Sequence, residues 1–447
     1  MALTEQEYNA IDCLATSRIF NRMVEDDGGR NSYSFDHATL GPALTMQLRG
    51  VRVDMAASKL AYEETMDAAS ALHTTFGELV GGWKWAHALK PAPISFSKLL
   101  YGKFKVKTRF SKDGKPTVNK EAITDILNDP KTTDEVLRIV EIAQELEVLE
   151  EDRKVLSKPI REDGRMHSSY FVSGTSTGRW SSKKDHFDTG ANMQALSGRL
   201  HKIFISDDGY VMINIDQKQG ESKIVSYLAK CKAYRDAHLK GNVHVGVSRM
   251  VWPEIANCKE TPLPWDVNKT YYDASKRLQH ASNYGQTPFG FARHAHIPVA
   301  TAEELQQRYF LAYPEIKEWH IETALRLKFY RSLTTPLGRV RFFLGRTWED
   351  SIVKEGLAYV PQSMCSQINK IALWRIWNEF DPHTAQILME GHDSVLFQVR
   401  ENNLSVVKDI LSMLQIPVPI LGDVMYPAFE AKWGYSWDSK SMKEWKE

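Results

Sequence analysis

The sequence predicts an α+β fold, and three observations carry that prediction. Helical periodicity runs through residues 37–86 and 121–156. Two apolar runs of strand length, one at 211–216 and one at 387–399, each carry an aspartate. A long, mostly helical block from about 221 to 330 separates them. With 447 residues and 43% hydrophobic content, the chain has room for two to four domains and a sizeable core.

In chain order, residues 4–24 read as a helix, and Glu25-Asp26-Asp27-Gly28-Gly29 reads as its stop. Between the two periodic segments, Lys103, Lys105, Lys107, Arg109, Lys112, Lys115 and Lys120 face a single acid, Asp113. By charge alone this is a solvated loop; a loop raised between helices would also reach a duplex backbone and bind it without regard to sequence. The net charge of +1 discriminates nothing, because phosphate binding depends on where cations sit. From Met166 the pattern shifts to short apolar runs, and Val211–Asp216 reads as a buried strand ending in an acid. Residues 339–344 again look strand-like. Gly391-His392-Asp393-Ser394 interrupts the final apolar run as a hairpin turn.

No stretch approaches the roughly 20 apolar residues of a membrane helix, and the start lacks signal-peptide character, so no membrane role and a cytoplasmic location are expected. Cys13, Cys231, Cys258 and Cys365 lie far apart, without the spacing of a disulfide framework or a zinc site.

Phosphoryl transfer to a sugar hydroxyl uses two divalent cations roughly 4 Å apart, held by hard oxygen ligands. Asp216 at a strand end is a rigid, open ligand, and Asp393 joins it if their strands are neighbours. Either alone is an ordinary turn acid. Asp266 as N-cap and Gly285 as stop predict a helix over 267–284, with Lys269, Asp273, Lys276, His280 and Tyr284 on one face. That mixture of cations and aromatics is not a core stripe. It reads either as a solvated, salt-bridged face or as a binding face.

Together these landmarks resemble the family A DNA polymerases, the group of bacterial DNA polymerase I and its phage relatives. Ile215-Asp216-Gln217-Lys218-Gln219-Gly220-Glu221 is similar to the family's first motif and Gly391-His392-Asp393-Ser394 to its third, with Ser394 in place of a Glu. A lysine, seven residues, then Tyr-Gly, continued by Phe289-Gly290-Phe291-Ala292-Arg293, is similar to the second. The resemblance runs from about residue 8 to the C-terminus with its motifs in family order.

It implies a right-hand fold: a remnant of an exonuclease domain at 1–36, a thumb at 37–165, palm at 166–225 and 346–447 with an antiparallel sheet, and helical fingers at 226–345. It implies dNTP addition to a primer 3′ end on primer–template DNA with two Mg²⁺ ions, Mn²⁺ being an alternative. Asp216, Asp393 and the Gln217 backbone carbonyl would hold the metals. Lys276 would bind the triphosphate and protonate the pyrophosphate leaving group. Gln219, Glu221, His244, Lys269, His280 and Tyr284 would complete the nucleotide site, Glu221 excluding ribonucleotides and Tyr284 stacking in the template-base position.

Tyr272 stands where the family has Arg, which removes a cation; Lys269 on the same predicted helix face is the expected substitute. Thr175-Ser176-Thr177-Gly178-Arg179 resembles a minor-groove-reading segment, and Asn192, Gln194, Gln362, His392 and Tyr284 match other duplex contacts. For loop Asn and Gln, local backbone capping competes with that role. Lys105, Lys107 and Arg109 would lie at the thumb tip.

Tyr8 to Thr16 resembles the last motif of the attached proofreading domain, in which Asp12 alone cannot act. A separate 3′–5′ exonuclease subunit docking near residues 1–24 is one expectation and a truncated chain the other. A phage-encoded protein in a bacterial host is expected. The rival functions are a single-subunit RNA polymerase, opposed by Glu221 and the exonuclease-like segment, and a catalytically silent DNA-binding relative, opposed by intact Asp216, Lys276 and Asp393.

Overall fold

One antiparallel sheet organises the molecule, and its central strand explains the continuous apolar run in the sequence. The computed structural model describes residues 10, 11, 13–15, 17, 18 and 27–446, apart from 82–88, 112, 128, 130, 186–188, 265 and 296. The sheet contains β1 (Tyr210–Gln217), β2 (Ala385–Glu390), β3 (Ser394–Arg400), β4 (Phe429–Gly434) and β5 (Lys443–Glu444), in the order β2-β3-β1-β4-β5. Val211, Met212, Ile213 and Ile215 of β1 are fully buried, so both faces of the strand are covered along its first half, and polar alternation appears only towards its end, at the half-buried Asn214 and the open Asp216. Around this sheet lies the largest hydrophobic cluster, which also takes in Met46, Phe204, Leu373 and Trp437.

A second cluster belongs to the front helices, α2 (Met55–Val80) and α3 (Asp134–Leu156), packed through Phe76, Ile139 and Leu146 with Leu100 from the segment between them. Asp54 caps α2 by accepting from the Ala56 and Ala57 amides, and Thr133 caps α3 by accepting from Val136. The basic segment 103–120 lies between these helices, as the sequence predicts, and Lys103 is tied to the Val80 carbonyl. The predicted stop at 25–29 is corrected: α1 (Asp27–Ala38) already includes Gly28 and Gly29. They occupy its first turn, where backbone amides have no intrahelical partner in any case and glycine costs least. The expected helix at 4–24 and the Tyr8 and Asp12 readings lie largely outside the described residues; of that segment, residues 10, 11, 13–15, 17 and 18 are helical.

The third cluster fills the helical block, from Ile224 through Tyr309 and Leu357 to Met425. Here the predicted helix is shorter than expected. Residues Asp266–Thr270 form a strand paired with Pro262–Leu263, and the helix begins only at Tyr271. The Thr270 hydroxyl accepts from the Asp273 amide while Asp273 accepts from the Thr270 amide, a reciprocal box that outcompetes Asp266 as the start signal. Lys269 therefore sits on the strand, not on the helix face.

Gln362, expected on a loop, lies inside the 30-residue helix Asp350–Glu379. Pro361 within that helix is buried, and packing against two clusters holds the helix together past it. Near the helix centre, the fully buried Lys370 donates to Asp36 of α1 (2.9 Å) and to the Val172 carbonyl (2.7 Å), while Arg339 donates to the same Asp36. Such a buried charge is tolerable only because it is paired. Among the described residues no helix is long and apolar enough to cross a membrane.

Candidate active site

The two aspartates meet because their strands are neighbours. Strand β3 pairs with β1 in seven consecutive registers, from Ser394 opposite Asp216 to Arg400 opposite Tyr210. The Gln217 amide donates to the Asp393 carbonyl at 3.0 Å, locking the β2–β3 turn against the end of β1. At Gly391 the turn is close: a Cβ there would lie 2.4 Å from the Ser394 hydroxyl, which would have to rotate away. His392 holds the turn in the left-handed region, at φ 64°.

Asp216 and Asp393 open onto a cavity of about 380 Å³ that is also lined by Gln217, Lys218, Gln219, Glu221, His244, Tyr272, Lys276, His280 and Glu430. Glu430, on β4, lies directly opposite Asp216 on the other flank of β1. Desolvation, then the charges of Asp393 and Glu430, push the Asp216 carboxyl up to about 7, against relief from Lys276 and Lys432. The strand wall therefore carries three carboxylates whose charge the nearby lysines offset only in part, and a divalent cation would relieve the rest. Its donors are hard carboxylate oxygens open to the cavity. Among the described residues no cluster of three or more His, Cys, Asp or Glu side chains is arranged to hold a metal by itself. Two carboxylates that leave room for water and substrate phosphates fit Mg²⁺ better than a closed zinc cage.

The opposite wall is the helix Tyr271–Asn283. Lys276 is exposed on it, with no hydrogen-bond or ion-pair partner among the described residues. His244 is driven down to about 4, chiefly by burial; His280 is lowered by burial and by Lys276, and His392 by burial and Arg179. The first two line the cavity as neutral rings at pH 7. The Gln219 side chain accepts from the Val243 amide at 3.1 Å, so it also caps the helix that carries His244.

Glu221 is not free. One carboxylate oxygen accepts from Arg179 (2.5 Å), and the other accepts from the Tyr284 hydroxyl. Burial first, and Glu221 second, raise the Tyr284 phenol well above its usual value. Tyr284 and Lys269 line a second cavity of about 580 Å³ on the far side of Lys276 and His280.

The expected duplex contacts divide. Asn192 accepts from the Gln194 amide (3.1 Å) and the Ser182 hydroxyl, so in this structure it is the local cap that competed with the DNA reading. The Gln194 side chain donates to Glu390. His392 presents a buried, unpartnered Nδ1, and Gln362 is half-buried. Lys105 and Lys107 are exposed, whereas Arg109 is spent on Asp129 at 3.1 Å.

Sequence reasoning missed Lys218, Glu430 and Glu390. A signal existed for Glu430: Phe429-Glu430-Ala431-Lys432-Trp433 alternates, which places Glu430 and Lys432 on one face of a strand. Glu390 is fully buried, accepts from Gln194 and Asn369, and is pushed up to about 7 by desolvation.

The family described as DNA polymerase family A matches residues 85–438. DNA polymerase I of Deinococcus radiodurans is 24% identical over 419 residues, covering 89% of this chain and 42% of the relative. The thermostable DNA polymerase I of Thermus filiformis is 24% identical over 281 residues, covering 60% and 33%. The chain thus spans less than half the length of these relatives. Among solved structures, the POL domain of Pol1 from M. smegmatis, in complex with DNA primer-template and dNTP, superposes with a TM-score of 0.75 at 18% identity. It covers 90% of this chain and 70% of its own, which supports the same right-hand fold.

Proposed function

From the premise that this chain belongs to DNA polymerase family A, we propose that it is a template-directed DNA polymerase that adds dNTPs to a primer 3′ end. The observation that carries the reading is the β1–β3 register, which sets Asp216 beside Asp393 in a cavity faced by the unpartnered Lys276.

In this reading Asp216, Asp393 and the Gln217 carbonyl hold two Mg²⁺ ions, or Mn²⁺. Bound there, the ions would lower the pKa of the primer hydroxyl and offset charge on the triphosphate. The chain's own groups do the rest. Lys276 binds the triphosphate from the helix wall and is placed to give a proton to the departing pyrophosphate. His244, Gln219 and the neutral His280 line the nucleotide's path.

Glu221 occupies the place where a ribose 2′-hydroxyl would intrude. It is held there by Arg179 and Tyr284, both of which an arriving base pair would have to release. Arg179, Asn192, Gln194, Gln362 and His392 are assigned to the primer–template, with Lys105 and Lys107 reaching its backbone. Lys269 is kept as a nucleotide-site candidate from the strand, and Arg109 as a thumb-tip residue that reaches DNA only after it leaves Asp129.

We assign a thumb to 37–165, palm to 166–225 and 346–447, fingers to 226–345, and an exonuclease-like segment to 1–36. The three hydrophobic clusters support three bodies, although the helix Asp350–Glu379 enters two of them. A separate 3′–5′ exonuclease subunit docking near residues 1–24 belongs to the same proposal. Exposed Ile11 and Leu14 support it, as does an exposed stripe of Leu40, Leu44 and Leu48 nearby in sequence. The proposed setting is the bacterial cytoplasm, with a phage gene as source; the relatives named above are bacterial.

Primer extension by this chain with Mg²⁺ tests the function. Extension with dNTPs and little with rNTPs is expected. A preference for rNTPs would make it an RNA polymerase, and no extension with either would leave a DNA-binding relative.

A further inference from the structure

We propose that Lys218, on the turn leaving β1, binds the terminal phosphates of the incoming nucleotide from the palm side, a role that rests on the polymerase reading above. A triphosphate brings several negative charges into a cavity whose lining already includes Asp216, Glu221, Asp393 and Glu430. Among the described residues two lysines and no arginine line that cavity, Lys276 on the helix wall and Lys218 on the strand wall. Where the helix wall faces the cavity one turn before Lys276, it offers the neutral Tyr272, whose hydroxyl accepts from Asn242 at 3.2 Å.

Other cations are badly placed. Lys269 lines the neighbouring cavity. Lys259 lies over the Tyr272 ring, 5.8 Å from its centroid, and is not among the residues that line the cavity. Lys223 is bound to the Tyr426 carbonyl at 2.7 Å.

Lys218 is anchored by its amide, which donates to the Ala428 carbonyl at 2.8 Å and fixes its Cα at the end of the β1–β4 pairing. Its ammonium pairs with Glu430 at 2.7 Å, and the two side chains are 42% and 55% exposed. An ion pair that wet is worth little, so exchanging a carboxylate for a phosphate, a stronger charge-assisted acceptor, meets small resistance. The exchange also suits the wall. While Lys218 holds Glu430, it partly neutralises the carboxylate opposite Asp216; divalent cations held at the strand wall would supply positive charge there and leave Lys218 free to turn to the phosphates.

The test uses the full chain on a primer–template ended with a dideoxynucleotide, so that nucleotide binding is read without chemistry. Dissociation constants are measured for the matched dNTP and for the corresponding dNDP. Lys218→Ala is expected to weaken the dNTP by roughly 10- to 100-fold, the scale of one charge-assisted hydrogen bond. It should weaken the dNDP less and leave primer–template affinity intact, which also reports a folded protein. Lys218→Arg should retain affinity, and Tyr272→Arg should restore it to Lys218→Ala by supplying the cation from the other wall.

Equal loss for dNTP and dNDP, no loss, or loss of primer–template affinity would each overturn the proposal. If the wild type holds no matched dNTP on the primer–template, the polymerase reading falls and takes this proposal with it.

Discussion

Asp216 and Asp393 stand on a wall of strands, Lys276 and His280 on a wall made by one helix, and the two walls are anchored by different physics. Seven register pairs and fully buried neighbours fix the aspartates from both flanks. The helix packs one face into the core through Leu278 and Ala281 and is tied by hydrogen bonds at its ends. Thr270 and Asp273 box its start, and at its last residue Asn283 donates to Tyr234 (3.2 Å), accepts from Tyr309 (2.8 Å) and offers its carbonyl to His320. Between those ends its cavity face carries an exposed Lys276. A charge-holding site gains from a wall that need not reorganise. A substrate-sensing wall gains from one that pivots about an end, as expected if finger closure selects the correct pair.

The largest effect should come from the strand wall. Asp393→Ala is expected to slow nucleotide incorporation by at least ~10³-fold, the cost of removing a group that holds transition-state charge. Primer–template affinity, read by fluorescence anisotropy, should hardly change. Lys276→Ala on the helix wall should cost about 10²-fold in incorporation rate if it acts as a proton donor. Equal losses on the two walls would erase the distinction drawn between them.

Asn283→Ala attacks the helix anchor itself. It removes one hydrogen-bond partner from each of two buried tyrosine hydroxyls, which keep each other as partners, so about 2 kcal/mol of stability should be lost in denaturant unfolding, with a raised KM for dNTP. A stability loss with unchanged KM would make the clamp structural only.

The strand wall also has a pH signature, through Glu390. Its folded-state value of about 7 lies above the ordinary 4.5, so the folded protein keeps a proton that the unfolded chain releases over that range. Stability from this source is full below about pH 4.5 and declines as pH rises to about 7, by roughly 3 kcal/mol at most. Glu390→Gln should flatten that slope; an unchanged slope would place the titration elsewhere.

The smallest effect belongs to the thumb-tip lysines. Removing Lys105 and Lys107 together should lower the salt-dependence slope of DNA binding by up to about 1.8, roughly 0.9 for each phosphate that is no longer neutralised.

The strand wall was legible in the sequence because a doubly covered strand announces itself as a run of mostly apolar residues, and both aspartates interrupt or end such runs. The helix wall was legible in its residues but not in its start. Asp266 and Thr270 are both acceptable caps, and only the reciprocal bond to Asp273 decides between them.

Partnerships across the fold were not legible at all. Glu221 meets Tyr284 63 positions away, and Lys218 meets Glu430 through a register that neither segment encodes alone. Glu390 looks like any polar residue at a strand end until the sheet is covered. Asn192 fits two readings equally in the sequence, and its bond from the Gln194 amide becomes visible only in the fold.

The central claim is that Asp216 serves chemistry and not DNA binding. Single-turnover incorporation of one matched dNTP, measured beside primer–template affinity for the wild type and Asp216→Asn, tests it most directly. The account expects incorporation by the wild type, a loss of at least ~10³-fold in the variant, and nearly equal DNA affinity. Incorporation by Asp216→Asn within about tenfold of the wild type, or a parallel collapse of DNA binding, would contradict it.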